Sequence, residues 1–387
     1  MTISNWLGLH NLPSAPRNNG RSRVGHTVAF EVSQDGNRVK ITGDDVDLYF
    51  VVEGIDLPPE VDATFAVWAV LALAMENGFN IEISHPIDPE VAANAEKLSQ
   101  FWEMWTPDRY RSIRVSGKGA WQRPKRARHP CLQMYSGGVD ATYALLQNND
   151  RDKRGHAATI FGFEYKDEAD KPGFAKLLAK TAPLLDRLNC QRIVIDTNVN
   201  RKPSGYTHGF TLAASLHLLS DLFEGGTIAA DYTHAQDLVA FPSGTNHIIN
   251  EYFNGSDFTV RSVGDKLSRT EKVAAIVEHN VDLSLLSFCR EKDAMPENCG
   301  VCKKCIRTKA MFLATTGRLP DIFLDTAFDA ELMQKFLVKG HERTYVFDLY
   351  FYLKDRDRLD AVPGLLDLVD HYRRIDLAVC RRIAPRS

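Results

Sequence analysis

The chain has 387 residues, 44% of them hydrophobic and 25% charged, enough for two or three domains and a large buried core. A formal net charge of −3 and a pI near 6.5 exclude a global basic field that would draw it to nucleic acid. No apolar run reaches membrane-spanning length, the nearest being residues 66–74. The opening MTISNWLGLHNL lacks the charged n-region and long apolar core of a signal peptide, so a cytoplasmic protein without membrane contact is expected.

Residues 1–125 read as a small α+β domain. Alternating apolar residues over Val24–Val32, Asn37–Ile41 and Asp45–Val52 predict antiparallel strands, and Asp35-Gly36 is a hairpin signal between the first two. Pro58-Pro59-Glu60 opens a helix expected to run to about Gly78. A strand follows at Ile81–Ser84, a helix at Pro89–Trp105 and a strand at Ser112–Val115. Trp102 and Trp105 share one helix face and read as core. The stretch 117–130, GKGAWQRPKRARHP, is a basic linker whose five Lys and Arg are by default solvated, with contact to a polyanion left open.

The most informative segment is 131–147, CLQMYSGGVDATYALLQ. An apolar run ends at Tyr135, then Ser136-Gly137-Gly138-Val139-Asp140 leads into a helix. A strand, a glycine turn and a helix N-terminus form an anion cradle: backbone N–H groups point at the ligand, the helix dipole favours negative charge, and glycine lets oxygens approach closely. An ordinary βα turn with a serine N-cap is the plainer alternative. Beyond it, strands are expected at Leu132–Tyr135, Ala158–Phe163, Arg192–Asp196 and Thr227–Ala230, with helices near 141–149, 173–188 and 208–223. This alternation predicts a doubly wound parallel sheet, with ligands at the C-terminal strand ends, where the glycine turn, Glu164, Asp196 and Asp231 fall. Asp231, His234 and Asp237 lie in one loop that either contacts substrate or is merely solvated. Tyr252 and Phe253 read as core.

Ser268-Arg269-Thr270-Glu271 has the pattern of a helix capping box, and Arg269 within it and Lys272 just after it are candidate partners for phosphate charge. Cys289, Cys299, Cys302 and Cys305 then offer four thiolates on short turns. Three cysteines in seven residues, in a chain with seven cysteines, suit a closed tetrahedral Zn²⁺ site of structural type, with disulfides or a redox pair as rivals. Cys131, Cys190 and Cys380 read as isolated buried thiols. Residues 319–387 form a mainly helical tail with a break at Asp360–Pro363.

The glycine turn resembles the PP-loop of the ATP pyrophosphatase (adenine nucleotide α-hydrolase-like, or HUP-like) superfamily, which reads Ser-Gly-Gly-x-Asp-Ser. Ser136, Gly137, Gly138, Val139 and Asp140 match; Ala141 stands in place of the last Ser, with Thr142 behind it, so one hydroxyl contact is lost or moved to Thr142. Together with the four cysteines, the chain from about Leu132 to Thr316 resembles the 7-cyano-7-deazaguanine synthase family. Lys166-Asp167 after Phe163-Glu164-Tyr165, and Thr207-His208-Gly209, replace that family's Gly-Gln and Arg-Asn, in regions that bind its substrate.

The resemblance implies a PP-loop domain at 126–318, between an N-terminal domain at 1–125 and a helical region at 319–387. It implies cleavage of ATP between the α and β phosphates with Mg²⁺, leaving AMP on a carboxylate, and attack by ammonia or another amine. Ser136, Gly137, Gly138, Val139, Ala141 and Thr142 would hold the nucleotide. Asp140 would orient the loop or hold Mg²⁺ through water, Lys272 and Arg269 would meet phosphate, and Glu164 would meet the ribose or base. The cysteines would hold structural zinc. The substrate expected is a small carboxylate of the 7-carboxy-7-deazaguanine type, and a homodimer is expected because members of the superfamily are often dimers. Two alternatives stand beside it: a tRNA-modifying enzyme that adenylates a base oxygen, which the acidic pI disfavours, and a non-catalytic nucleotide-binding partner protein.

Overall fold

The computed structural model describes residues 25–122, 127–148, 153–199, 207–237, 244–337 and 342–383, with side chains to residue 374. The middle of the basic linker and the Cys380 side chain lie outside the described residues, as does the N-terminal segment before residue 25. The described part of the linker is tied down: Trp121 Nε1 donates to Asp62 at 2.8 Å, and the His129 amide donates to the Leu222 carbonyl at 2.8 Å.

Strand β1 (Thr27–Asp35) alternates buried and exposed residues as the sequence pattern requires. It turns through Gly36 at φ 56° into β2 (Arg38–Gly43), with Asp35 opposite Arg38, and β3 (Val46–Glu53) completes the meander. Helix α1 (Phe65–Asn77) is buried on nearly every side and ends at Gly78 in the left-handed region. It starts seven residues later than the Pro58 signal suggests, because side chains hold residues 58–64 as a turn. Gln34 donates to the Pro58 carbonyl and accepts from the Val61 amide, and Asp62 accepts from the Thr64 amide. Strand β4 (Asn80–Ile83), helix α2 (Pro89–Trp105, N-capped by Asp88) and β5 (Val115–Gly117) follow. The last strand is shifted three residues from its expected start.

Residues 132–263 supply β6 (Leu132–Met134), α3 (Val139–Asn148), β7 (Gly155–Phe161), α4 (Lys171–Arg187), β8 (Cys190–Thr197), α5 (His208–Leu218), β9 (Gly225–Ala229) and β10 (Thr259–Val263). Strand β10 was not expected from the sequence. It is a short edge strand with a mostly polar, half-exposed face, following an Asn-Gly-Ser-Asp turn signal. Helix α5 stops five residues short of its expected end.

Among the described residues, ten strands form one sheet in the order β10-β9-β6-β7-β8-β3-β2-β1-β4-β5. Strands β10 to β8 are all parallel, and in chain order they read 5-4-1-2-3. The chain leaves β6 in one direction, then returns to lay β9 on its other side. The crevice where that reversal occurs, outside the carboxyl ends of β6 and β9, is the ligand position of doubly wound sheets. Strand β3 pairs antiparallel with β8, Phe50 opposite Thr197, so the sheet does not break between the N-terminal strands and the parallel ones.

Each face of the sheet carries its own core. One joins Phe30, Trp68 and Trp102 of the N-terminal third to Phe210, Phe223 and Phe258. The other joins α3 to α6 (Arg269–Glu278), α7 (Lys303–Thr316), α8 (Ala330–Leu337), α9 (Glu342–Lys354) and α10 (Leu365–Ile383). The tail breaks before α10 at a 3₁₀ turn, Leu359–Ala361, and Gly364. No described helix is long and apolar enough to cross a membrane.

Candidate anion cradle and cysteine metal centre

The turn after β6 has the shape its glycines allow. Gly137 lies at φ 79°, and a Cβ there would fall 2.9 Å from the Thr181 methyl. Its carbonyl accepts from the Ser287 amide at 2.9 Å, which anchors the loop from outside. At Gly138 a Cβ would meet only Ser136 Oγ at 3.4 Å and the Ser287 oxygen at 3.9 Å, so the fold does not demand glycine there. Ser136 is exposed, and the Gly138 amide donates weakly to its hydroxyl at 3.4 Å. Val139, Ala141 and Thr142 are buried and fix α3 to the core. The Thr142 side chain is fully enclosed, so in this arrangement it does not offer its hydroxyl to a ligand at the loop.

Asp140, in the first turn of α3, meets a cluster of charge. Arg269 contacts its carboxylate through Nε at 3.2 Å and through Nη2, which also reaches Asp231 at 3.0 Å. Lys272 is fully buried, with Nζ 2.6 Å from the Ala230 carbonyl and 3.4 Å from Asp140. The capping box at the start of α6 is present: Ser268 accepts from the Glu271 amide and Glu271 accepts from the Ser268 amide. Asp348 of α9 adds bonds from Thr270 N and Oγ1 at 3.1 and 2.8 Å. The cap therefore serves as structure and also aims Arg269 and Lys272 inward.

Electrostatics follow from burial and pairing. Burial works against the Arg269 charge, but Asp140, Tyr345 and Asp231 more than offset it and hold its pKa well above the usual value. Burial pushes the Asp231 carboxyl up, and Arg269, His208, Lys272 and Arg307 together bring it below the usual range. Tyr345 lies between two guanidinium groups, Arg269 at 5.1 Å and Arg307 at 3.9 Å from its ring centroid. Burial raises its pKa despite both cations. Fully buried Glu342 takes Lys303 at 2.5 Å and Arg307 at 3.3 Å.

Of the other expected residues, exposed Glu164 pairs with Lys304 at 3.1 Å, and that charge holds its carboxyl low. Asp196 turns away toward the N-terminal strands, accepting from Tyr49 at 3.2 Å. Asp237 binds His247 at 2.8 Å, and His234 binds Asp265 at 2.8 Å.

Sequence reasoning missed Tyr345, Arg307, Glu342 and Lys304. One signal was available for two of them. The first turns of α7 carry Lys303, Lys304 and Arg307 with no acid, against the helix dipole, which asks for a negative partner.

The four cysteines converge as expected. Their Sγ atoms lie within 4.8 Å of one another, with Cys289 to Cys302 and Cys299 to Cys305 both at 3.9 Å. A zinc–sulfur bond of about 2.3 Å places tetrahedral ligands about 3.8 Å apart, whereas a disulfide needs about 2.0 Å. Gly300 at φ 85° makes the turn between Cys299 and Cys302, and the Val301 and Cys302 amides donate to Cys299 Sγ at 3.4 and 3.3 Å. Buried Lys309 bonds the Ala327 carbonyl at 2.5 Å and Asp325 at 3.4 Å beneath this loop. The cluster can hold a metal ion such as zinc.

No family model matches the chain, no curated protein matches it, and no solved structure matches it.

Proposed function

We propose that the chain is an ATP-dependent, AMP-forming enzyme of the PP-loop pyrophosphatase type. In this reading it activates a small carboxylate, of the 7-carboxy-7-deazaguanine kind, as an acyl-adenylate that an amine then attacks. The observation that carries the reading is the Ser136-Gly137-Gly138-x-Asp140 turn at the sheet's switch point, facing Arg269 and Lys272. The chemistry explains that combination. A carboxylate is a poor electrophile because oxide is a poor leaving group; AMP is a good one.

The amides of Gly137, Gly138 and the first turn of α3 cradle the β and γ phosphates, with the dipole of α3 behind them. Gly138 is open to close approach because nothing in the fold fills its missing side chain. Arg269 shares its charge between Asp140 and Asp231, so incoming phosphate competes with two carboxylates for it. Asp140, through water, and Asp231 would hold Mg²⁺ bound with the nucleotide, and the ion would neutralise phosphate charge further. Tyr345 is buried beside the Arg269 guanidinium, with the buried Tyr232 ring 5.2 Å from its own, and excludes water from that side. The metal at the cysteines is zinc in this reading. Four soft thiolates leave no open position, so its role is structural.

Product analysis tests the proposal. The protein is incubated with ATP, Mg²⁺ and 7-carboxy-7-deazaguanine, with and without an ammonium salt. AMP and pyrophosphate formed only with the acid support it; ADP, or AMP formation indifferent to the acid, overturns it.

A further inference from the structure

The strand ends that build the cradle also build a second polar cluster. Strand β9 delivers Asp231 to Arg269 and, three residues on, His234. Strand β10 delivers Asp265 and, four residues on, Arg269. His234 Nε2 lies 2.8 Å from the Asp265 carboxylate, and the His234 amide donates to the Asp265 carbonyl at 3.2 Å. A carboxylate at this distance favours the tautomer with the ring proton on Nε2 and the lone pair on Nδ1. One face of the ring is covered by His247, with centroids 4.1 Å apart and planes 22° from parallel, and His247 is itself held by Asp237. The His234 side chain is still 56% exposed. It stands at a groove of ≈ 540 Å³ along the outer edge of β10, lined also by Glu251, Tyr252, Asn254 and Arg261.

A solvated histidine needs neither a carboxylate behind it nor a second imidazole against its face. Both fix the direction of one lone pair, which proton transfer requires and solvation does not. Metal ligation is disfavoured: nearly parallel stacked rings do not converge their lone pairs on one ion. A groove of this size falls in the range of small-molecule sites, and it offers an amine the Glu251 carboxylate and the Asn254 side chain beside His234.

We propose that His234, oriented by Asp265, accepts the proton of the amine that attacks the acyl-adenylate, and that the groove along β10 admits that amine. The inference rests on the adenylation reading. The amine nitrogen forms a bond to the acyl carbon, the bond from that carbon to the AMP oxygen breaks, and its electron pair leaves with AMP. The nitrogen's proton passes to His234 Nδ1 and from the exposed ring to water.

The test separates the two half-reactions on the full chain. Exchange of pyrophosphate into ATP, with Mg²⁺ and 7-carboxy-7-deazaguanine and no amine, reads adenylation. Product formation on adding ammonium reads transfer. His234→Gln should keep exchange within about twofold and lower transfer by about 10² to 10³, the usual worth of a general base. Asp265→Asn should lower transfer less, by about tenfold, because the ring stays but loses its orientation. Equal transfer in His234→Gln and wild type overturns the proposal while leaving adenylation intact. Parallel loss of exchange and transfer in His234→Gln, with a lowered melting temperature, overturns it in favour of a structural role. Failure of exchange in the wild type removes the adenylation reading itself.

Discussion

Asp140 balances two buried cations, so removing its charge while keeping its shape is a sharp perturbation. Asp140 and Arg269 are each only 12% exposed at the side chain, and Lys272 is fully buried. In the native cluster Arg269 and Lys272 face Asp140 and Asp231. In Asp140→Asn they face Asp231 alone, which contacts only Arg269, and Lys272 keeps just the Ala230 carbonyl. Breaking a buried pair costs roughly 3–5 kcal/mol when it strands the partner. Arg269 retains Asp231 and the Tyr345 ring, so the low end applies, about 3 kcal/mol. Asp231→Asn should cost only about 1 kcal/mol, since that side chain is 37% exposed and solvent screens it. Unfolding entropy of roughly 2.1 cal/mol/K per residue gives about 0.8 kcal/mol/K over 387 residues, so Asp140→Asn should melt roughly 4 °C lower. Thermal and urea unfolding of Asp140→Asn, Arg269→Gln and the double variant would complete the cycle, with a coupling energy of at least about 1 kcal/mol expected. Melting unchanged within a degree, or strictly additive losses, would refute the view that the two side chains form one buried unit.

The adjacent glycines should behave oppositely. Gly137→Ala places a side chain at φ 79° and 2.9 Å from Thr181, costing roughly 1–2 kcal/mol or more, while Gly138→Ala should leave melting unchanged and abolish the rise in melting temperature caused by pyrophosphate. Metal analysis of freshly purified protein should give about one zinc per chain, and Cys302→Ser should lose both the metal and solubility; metal-free wild type would sink this. His156 is buried against His129 and Phe223, and burial first, then the His129 and Arg154 charges, lower its pKa to about 4. The unfolded chain titrates near 6.5, so this stability is complete above that pH and falls by up to roughly 3 kcal/mol as pH drops toward 4. His156→Gln should flatten the slope of melting temperature against pH over that window.

What the sequence made legible was local. The glycine turn, the capping box and the cysteine knuckle each fit within about twenty residues, and each is found with its expected geometry. The strand–helix alternation likewise identified four of the five parallel strands. The contributions that came from far along the chain were silent. Tyr345 and Glu342 reach the cluster from a tail helix whose pattern says only that it is amphipathic, and their role depends on α9 docking across α6. Asp196 sits at a strand end like Asp231, yet Tyr49, almost 150 residues earlier, takes it up. Thr142 is one position from the missing loop serine, but the helix turn carries it into the core. Strand β10 is short and half exposed, so it lacks the apolar run that marked its neighbours.

The antiparallel seam between β3 and β8 makes the first third of the chain part of the same sheet as the parallel strands. Cutting the chain near residue 126 would strip the partner from Val194 to Thr197 and leave their outward amides and carbonyls as a sticky border for other molecules. The same cut would remove most of the core that holds Phe210, Phe223 and Phe258. The parallel half is thus not a module that can be moved alone. Any force applied to the N-terminal meander, by a partner or by a second copy, is transmitted along one continuous ribbon to β6 and β9, whose ends lead into Asp140 and Asp231.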